Sequence, residues 1–233
     1  MADRLRRRSG GPVEVLAACG RGRSYGAWSR FFYVRQLPGI QGCGLWADLA
    51  ARPPLPTVAL VTDVGNDLMY GASVAEIAGW VEASLDRLAA IRATTVMTLL
   101  PLARLDRLRP WQYRAARSLL FPGHPAAPLD SLLARAHELN ERLEQVGSER
   151  GVHLIEPQAS WYGIDPIHLR RSRQAEAWDR ILSSWPLPGP GAGAGRRLRL
   201  PLLGTAEARL CGARVRTPQP ARRLADGSTL ALY

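Results

Sequence analysis

Short apolar runs alternate with amphipathic helical patterns along most of the chain, and this alternation is the strongest constraint on its fold. Runs rich in Val, Leu and Thr stand at residues 13–19, 57–63, 94–100 and 152–156. Each run is short enough for a buried strand of the kind found in parallel sheets. Because helical patterns fill the stretches between them, the sequence predicts an α/β fold with helices on both faces of a parallel sheet.

The helical stretches are marked by a capping signal and by apolar stripes. Ser73 followed by Glu76 forms a capping box, after which apolar residues recur at helical spacing to about Arg92. Further helices are predicted at residues 111–120, 129–150 and from 170 to about 184. We therefore expect an α/β domain over residues 13–185.

The composition changes abruptly after this domain. Residues 186–202 are rich in Pro, Gly and Arg and are interpreted as a linker. Residues 203–233 contain short alternating stretches and an Asp226-Gly227 pair that suits a hairpin turn. A β-hairpin extension of about 30 residues is not stable alone in water. We expect it to pack on the main domain, on a second copy in a homodimer, or on another partner.

The net charge of +11 is concentrated at the two ends of the chain, and all 31 basic residues are arginine. The N-terminal arm, residues 1–12, has four Arg against one Asp, and residues 186–233 have eight Arg against two acids. Residues 13–185 are nearly balanced, with 19 Arg against 17 acids. The complete absence of lysine is typical of codon bias. Since no nucleic-acid-binding motif or aromatic interleaving is present, the sequence argues against a nucleic-acid partner.

Cysteine usage and hydropathy predict a cytoplasmic protein without a metal or cofactor. Cys19, Cys43 and Cys211 are scattered and form no C-x-x-C pair. No apolar run reaches the roughly 18 residues of a transmembrane helix. Residues 16–19 are similar to a lipoprotein cleavage site, but the preceding apolar stretch is short and contains Glu14. A buried first strand is the preferred interpretation.

Polar loops follow the predicted strands, where α/β proteins place their sites. The turn after the first strand, residues 20–26, is rich in glycine and presents Ser24. Gly65-Asn66-Asp67 follows the second strand, and Asp165 with His168 follows the last. A serine, an amide and an Asp/His pair are the groups that acyl transfer requires.

Four blocks in this order resemble the SGNH/GDSL hydrolase superfamily. They are Gly22-Arg23-Ser24, Gly39-Ile40-Gln41-Gly42, Gly65-Asn66-Asp67, and Asp165 with His168. The resemblance implies a three-layer α/β/α, flavodoxin-like domain and a serine hydrolase that needs no cofactor. Its substrate would be a small-molecule, lipid or glycan acyl ester or thioester.

The resemblance also implies a role for each matched residue. Ser24 would be the nucleophile, His168 the general base, and Asp165 the group that orients the imidazole. The oxyanion hole would consist of the Ser24 and Gly42 backbone N–H groups and the Asn66 side-chain amide.

Two departures from the family pattern leave alternatives open. Arg23 stands where the family has aspartate, and only 18 positions separate Ser24 from Gly42, too few for a full first helix. Residues 28–32 are expected to be what remains of that helix. Arg23 either marks a non-catalytic binding or scaffold protein or recruits an acidic substrate through its guanidinium. Acyl transfer to an acceptor other than water is a third alternative.

Three tryptophans fall near the predicted site loops. They are Trp28, Trp46 and Trp161. We expect them to line an acyl pocket, with simple core packing as the alternative.

Overall fold

The computed structural model describes residues 2–20, 22–31, 35–120, 127–163, 168–187, 189 and 204–233. They form a mixed α/β structure, which confirms the predicted class at that level. The predicted linker lies almost entirely outside the described residues, as does Asp165. Within the described part of the chain, no helix combines the length and the apolar character needed to cross a membrane.

The strands and helices are numbered in chain order. The strands are β1 Glu14–Ala17, β2 Ser29–Phe31, β3 Arg35–Leu37, β4 Val58–Val61, β5 Thr94–Thr98, β6 His153–Ile155, β7 Glu207–Leu210, β8 Ala213–Arg216, β9 Arg222–Arg223 and β10 Thr229–Leu232. The α-helices are α1 Ala2–Ser9, α2 Leu45–Ala50, α3 Asn66–Met69, α4 Val74–Ala90, α5 Leu102–Leu105, α6 Pro110–Leu120, α7 Leu129–Glu149 and α8 Gln174–Leu182. Short 3₁₀ helices occur at Ile40–Gly42 and Ala159–Trp161.

Strands β4, β5 and β6 form a parallel sheet in this order, as three of the four predicted apolar runs require. Successive residues of β5 point to opposite sides, because side chains alternate along a strand. Met97 packs into the main apolar cluster with α4 and α7, whereas Val96 packs into a second cluster with α8. The carboxyl ends of these strands carry the loops of the candidate site.

Helix α4 begins where the capping signal predicts. The Glu76 backbone N–H donates to the Ser73 hydroxyl at 3.2 Å, and the Ser73 N–H donates to the Glu76 carboxylate at 2.8 Å. The apolar stripe of α4 includes Ile77 and Val81, both fully buried against the main cluster. Local capping and periodicity therefore account for this helix.

The C-terminal extension packs back on the chain's own first strand. β10 pairs in parallel with β1, placing Leu230 opposite Val15, and β9 pairs antiparallel with β10. Val15, Leu230 and Leu232 form one buried cluster. The predicted Asp226-Gly227 pair lies in the connection between β9 and β10, where Gly227 has a φ of 87°. A positive φ of this size favours glycine.

The first strand lies in a different sheet from the other three predicted strands, contrary to expectation. β1 belongs to a sheet of order β1-β10-β9, while β4, β5 and β6 form a sheet of their own. A parallel neighbour requires a long crossover, usually a helix. After β1 the chain instead enters antiparallel strands, and the distant β10 occupies the place beside β1.

The third sheet is antiparallel and has the strand order β2-β3-β7-β8. The expectation of a helical remnant at residues 28–32 is wrong, because residues 29–31 form β2 and pair with β3. Ser29 and Leu37 lie opposite each other in this pair and are both buried. Burial of one sheet face, rather than helical periodicity, decides the structure here.

Candidate functional site

The predicted first and third blocks meet at the carboxyl end of β4. The Asn66 side-chain amide donates to the main-chain oxygen of Arg23 at 3.4 Å, and the Tyr70 hydroxyl donates to that of Gly22 at 2.6 Å. The Tyr25 hydroxyl donates to the Thr62 carbonyl oxygen at 2.8 Å. Residues 22–27, here called the Ser24 turn, are thus bonded to the loop that follows β4.

Ser24 has no solvent-exposed surface, and its hydroxyl is fully engaged. The hydroxyl donates to Asp67 Oδ1 and accepts from the backbone N–H groups of Gly26 at 3.1 Å and Ala27 at 2.8 Å. Accepting N–H groups two and three residues ahead is the geometry of a serine that caps a turn. In this structure the hydroxyl is therefore directed to Asp67, not to His168.

Asp67 joins the Ser24 turn to α3. Its carboxylate accepts from the Ser24 hydroxyl and, through Oδ2, from the Tyr25 backbone N–H at 2.8 Å. Burial raises the pKa of Asp67 to about 6, although both hydrogen bonds act to lower it. Desolvation outweighs the hydrogen bonds because this carboxylate has no solvent-exposed surface.

Arg23 is buried and bonded within the protein, which argues against the hypothesis that it recruits an acidic substrate. The residue is only 3% exposed. Its guanidinium donates to the Pro38 carbonyl oxygen at 2.9 and 3.1 Å, to that of Cys19 at 3.5 Å, and to the main-chain oxygen of Tyr233. Burial lowers the pKa of Arg23. A guanidinium committed to buried carbonyl oxygens is not available to a substrate.

Two of the three groups predicted to form the oxyanion hole have internal partners. The Gly42 N–H donates to the Gly39 carbonyl oxygen at 3.1 Å within the 3₁₀ helix. The Asn66 amide contacts Arg23 as described above, at the long distance of 3.4 Å. The hydrogen bond donated by Asn66 is the longer of these two. The Asn66 amide is therefore the better placed to turn toward a bound oxygen.

The three tryptophans have packing or stacking partners. Trp161 is 2% exposed and lies in the second apolar cluster, and Trp46 packs on the main cluster and donates to the Ile40 carbonyl oxygen at 2.7 Å. Trp28 is 39% exposed and stacks against Arg209, 4.3 Å from the guanidinium carbon to the ring centre. Trp161 therefore fills the core and does not line an open pocket.

Asp63 and His168, here called the Asp63–His168 pair, are near enough to interact electrostatically. Asp63 is the second residue after the end of β4 and has a left-handed backbone with a φ of 58°. Burial raises the pKa of Asp63, and the nearby His168 acts to lower it. Asp63 is exposed to solvent, although the surrounding protein partly removes water from around its carboxylate. Asp165, predicted to orient His168, lies outside the described residues.

Other titratable side chains surround Asp63. Its charge raises the pKa of Tyr25, Tyr162 and Cys19, in each case as an addition to the larger effect of burial. Cys19 follows β1, so the ends of β1 and β4 approach each other at this point. A thiol whose pKa is raised in this way is a weak nucleophile.

Asp63 is not among the site residues predicted from the sequence. Two signals mark it: it is the last residue of an apolar run, and aspartate tolerates the left-handed backbone that ends such a strand. Its partner His168 is more than a hundred residues away, so only the tertiary structure identifies the pair.

Among the described residues, no group of three or more His, Cys, Asp and Glu is placed to hold a metal ion. The polar groups at the carboxyl end of β4 are acid–base groups, such as Asp63 and His168, and hydrogen-bond donors, such as the Asn66 amide. Comparison of the chain with protein-family models, with curated proteins and with solved structures gives no match.

Proposed function

We propose that this chain is a carboxylic ester hydrolase with a three-layer SGNH-type domain and His168 as its general base. The observation that carries the proposal is that the blocks containing Ser24 and Asn66 meet at the carboxyl end of β4, where His168 also acts electrostatically on Asp63. A carboxylate beside an imidazole stabilises the imidazolium that forms when histidine accepts a proton. The edge of a parallel sheet is also the common location of α/β sites.

In the proposed reaction, the Ser24 hydroxyl attacks the ester carbonyl and His168 takes its proton. His168 then gives that proton to the leaving alcohol, and water releases the acid from the acyl-enzyme. Asn66 is the proposed side-chain donor to the oxyanion. Asp63, and Asp165 by the family resemblance, are the proposed partners of the imidazole.

Attack by Ser24 requires a local rearrangement. Its hydroxyl must release Asp67 and turn toward the sheet edge, giving up the hydrogen bonds that it makes within the turn. Leaving such buried groups without partners costs about 1–3 kcal/mol each. Substrate binding would have to offset this cost.

A non-catalytic binding protein with the same fold is the second candidate. The complete burial of Ser24 and the internal bond of the Gly42 N–H favour it. In this version the Ser24 turn is purely structural, and the Asp63–His168 pair binds a ligand without reacting with it.

Labelling with an active-serine fluorophosphonate and hydrolysis of short p-nitrophenyl esters separate these candidates. The variants are Ser24→Ala and His168→Gln, with Ser29→Ala and His137→Gln as matched controls. We expect labelling to disappear in Ser24→Ala and kcat/KM to fall by about 10³-fold or more in both site variants. The control variants should keep both properties.

Each other outcome identifies a different function. Hydrolysis that survives Ser24→Ala but is lost in His168→Gln would assign the attack to a water molecule activated by His168. A folded wild-type protein that shows neither labelling nor hydrolysis would support the binding protein. Transfer of the acyl group to an added alcohol in preference to water would identify an acyltransferase.

A further inference from the structure

The sheet β2-β3-β7-β8 exposes a row of arginines that is independent of the candidate site. The register places Arg30 opposite Gln36, Gln36 opposite Arg209, and Arg209 opposite Arg214. Residues opposite one another lie on the same face of a sheet. All three arginines are exposed. The strand spacing of about 4.8 Å makes this row about 14 Å wide.

Three further residues, Trp28, Glu207 and Arg216, extend this arginine face, which we define as residues 28, 30, 36, 207, 209, 214 and 216. Trp28 stacks on Arg209, and Arg216 stands opposite Glu207. Glu207 forms an ion pair with Arg214 at 2.6 Å and is the one acidic residue among the seven. Four arginines against one glutamate give the face a clear positive charge.

We propose that the arginine face binds single-stranded nucleic acid. Guanidinium groups bind phosphate oxygens through paired hydrogen bonds, and aromatic rings offer stacking surfaces to unpaired bases. The face combines both groups on an antiparallel sheet, with Trp28 half exposed among the arginines. No local pattern indicates this combination, because its residues come from positions 28–36 and 207–216, which only strand pairing brings together.

Two other anionic partners fit the face less well. A DNA duplex would have to bind the sheet in its major groove. This groove is about 12 Å wide, which is narrower than the four-stranded row with its side chains. A membrane surface requires apolar side chains beside the cationic ones. Trp28 is the one exposed apolar side chain on the arginine face among the residues described, and the exposed Leu210 and Val215 lie on the opposite face, because each is adjacent in sequence to Arg209 or Arg214.

The test measures binding of a fluorescent oligo-dT of about 12 nucleotides by anisotropy, between about 50 and about 200 mM salt. We expect the logarithm of the affinity to fall with the logarithm of salt concentration, with a slope of about −2 to −3 for three to four phosphate contacts. Arg209→Gln/Arg214→Gln/Arg216→Gln should reduce this slope by about 2 and the affinity at low salt by at least about tenfold. Trp28→Ala should weaken binding about fivefold or more.

A charge-matched variant is the control. Arg107→Gln/Arg109→Gln/Arg114→Gln removes the same charge from exposed positions at and near α6, and circular dichroism confirms folding of both triple variants. No binding by the wild type, or an equal loss in both triple variants, would overturn the proposal. Tighter binding to a duplex of the same length, or to phosphatidylserine vesicles, would also overturn it. Esterase assays are not part of the readout, so failure here does not bear on the proposed hydrolase.

Discussion

The Ser24 turn and the Asp63–His168 pair lie at the same edge of the structure but differ in solvation and bonding. Ser24 and Asp67 have no exposed surface, Arg23 is 3% exposed, and all three are hydrogen-bonded within the protein. Asp63 keeps solvent access and interacts electrostatically with His168. Some residues of a resembling motif, such as Arg23, can therefore serve the architecture, while a charged group from outside the motif, Asp63, lies at the same edge.

This contrast predicts that changes at Arg23 and Asp67 act mainly on stability, whereas changes at the Asp63–His168 pair leave stability nearly unchanged. Gly26 supports the structural role of the turn. A Cβ atom at this position would stand 2.2 Å from the Trp80 ring, so the turn packs tightly on α4. Four measurements examine the contrast, from the largest expected effect to the smallest.

Asp67→Ala should have the largest effect on stability. It leaves the buried Ser24 hydroxyl and the Tyr25 N–H without their acceptor. We expect the free energy of unfolding to fall by about 3–4 kcal/mol, measured by urea denaturation. The exposed Asp106→Ala, which removes only a surface pair with His137, should change it by less than about 1 kcal/mol. If both variants lowered the free energy of unfolding equally, Asp67 would contribute no more to stability than a surface carboxylate.

The free energy of unfolding should vary with pH because Asp67 has different pKa values in the folded and unfolded states. Its pKa is about 6 in the folded protein and near 3.8 in the unfolded chain. Between these values the folded state holds more protons, so stability falls as pH rises from about 4 to about 6 and then levels off. The loss amounts to about 3 kcal/mol.

The difference between wild type and Asp67→Asn isolates this titration from that of other groups. Urea denaturation at several pH values between 4 and 7 provides both curves. Parallel curves across this range would mean that Asp67 ionises as readily in the folded protein as in the unfolded chain.

Arg23→Met should destabilise the protein by about 2 kcal/mol. The methionine fills part of the space but leaves the buried carbonyl oxygen of Pro38 and the partly buried one of Cys19 without this donor. Loss of the buried positive charge offsets part of this cost. The exposed Arg107→Met is the control and should be near neutral. If the wild type hydrolyses esters, a changed preference for anionic over neutral esters in Arg23→Met would restore a role for Arg23 in substrate recruitment.

Asp63→Asn should have the smallest effect, below about 0.5 kcal/mol. Asparagine tolerates the left-handed backbone at this position, and the side chain is not required for packing. Asp63→Val is the informative contrast, because a β-branched residue at a φ of 58° should cost about 1–3 kcal/mol. A large destabilisation by Asp63→Asn would show that Asp63 has a structural role like that of Arg23 and Asp67.

Much of the fold was predictable from local signals. The capping box at Ser73 marks the start of α4, and apolar runs mark β4, β5 and β6 within a few residues of their ends. These features depend on residues close in sequence, so periodicity and capping report them directly. The strand at residues 29–31 was missed because burial against distant parts of the chain decides it.

The candidate site was predictable only in part. The blocks containing Ser24 and Asn66 meet as the resemblance implies, yet nothing local distinguishes an attacking serine from one that caps a turn. The partner of the hydroxyl is Asp67, 43 positions away, and the burial of Arg23 involves Tyr233, 210 positions away. Such contacts depend on three-dimensional packing, for which a single sequence provides no direct measure.

The sequence by itself determined the α/β class, the main helices and the strands of the parallel sheet, because these follow from periodicity within short windows. It also determined that most of the net charge of +11 belongs to the ends of the chain. Only the tertiary structure decided that β10 pairs with β1, that Arg23 is buried, that Asp63 lies near His168 and that arginines from two regions share one sheet face. The reason is physical: strand partners and burial are set by long-range contacts, and these form only when the whole chain packs.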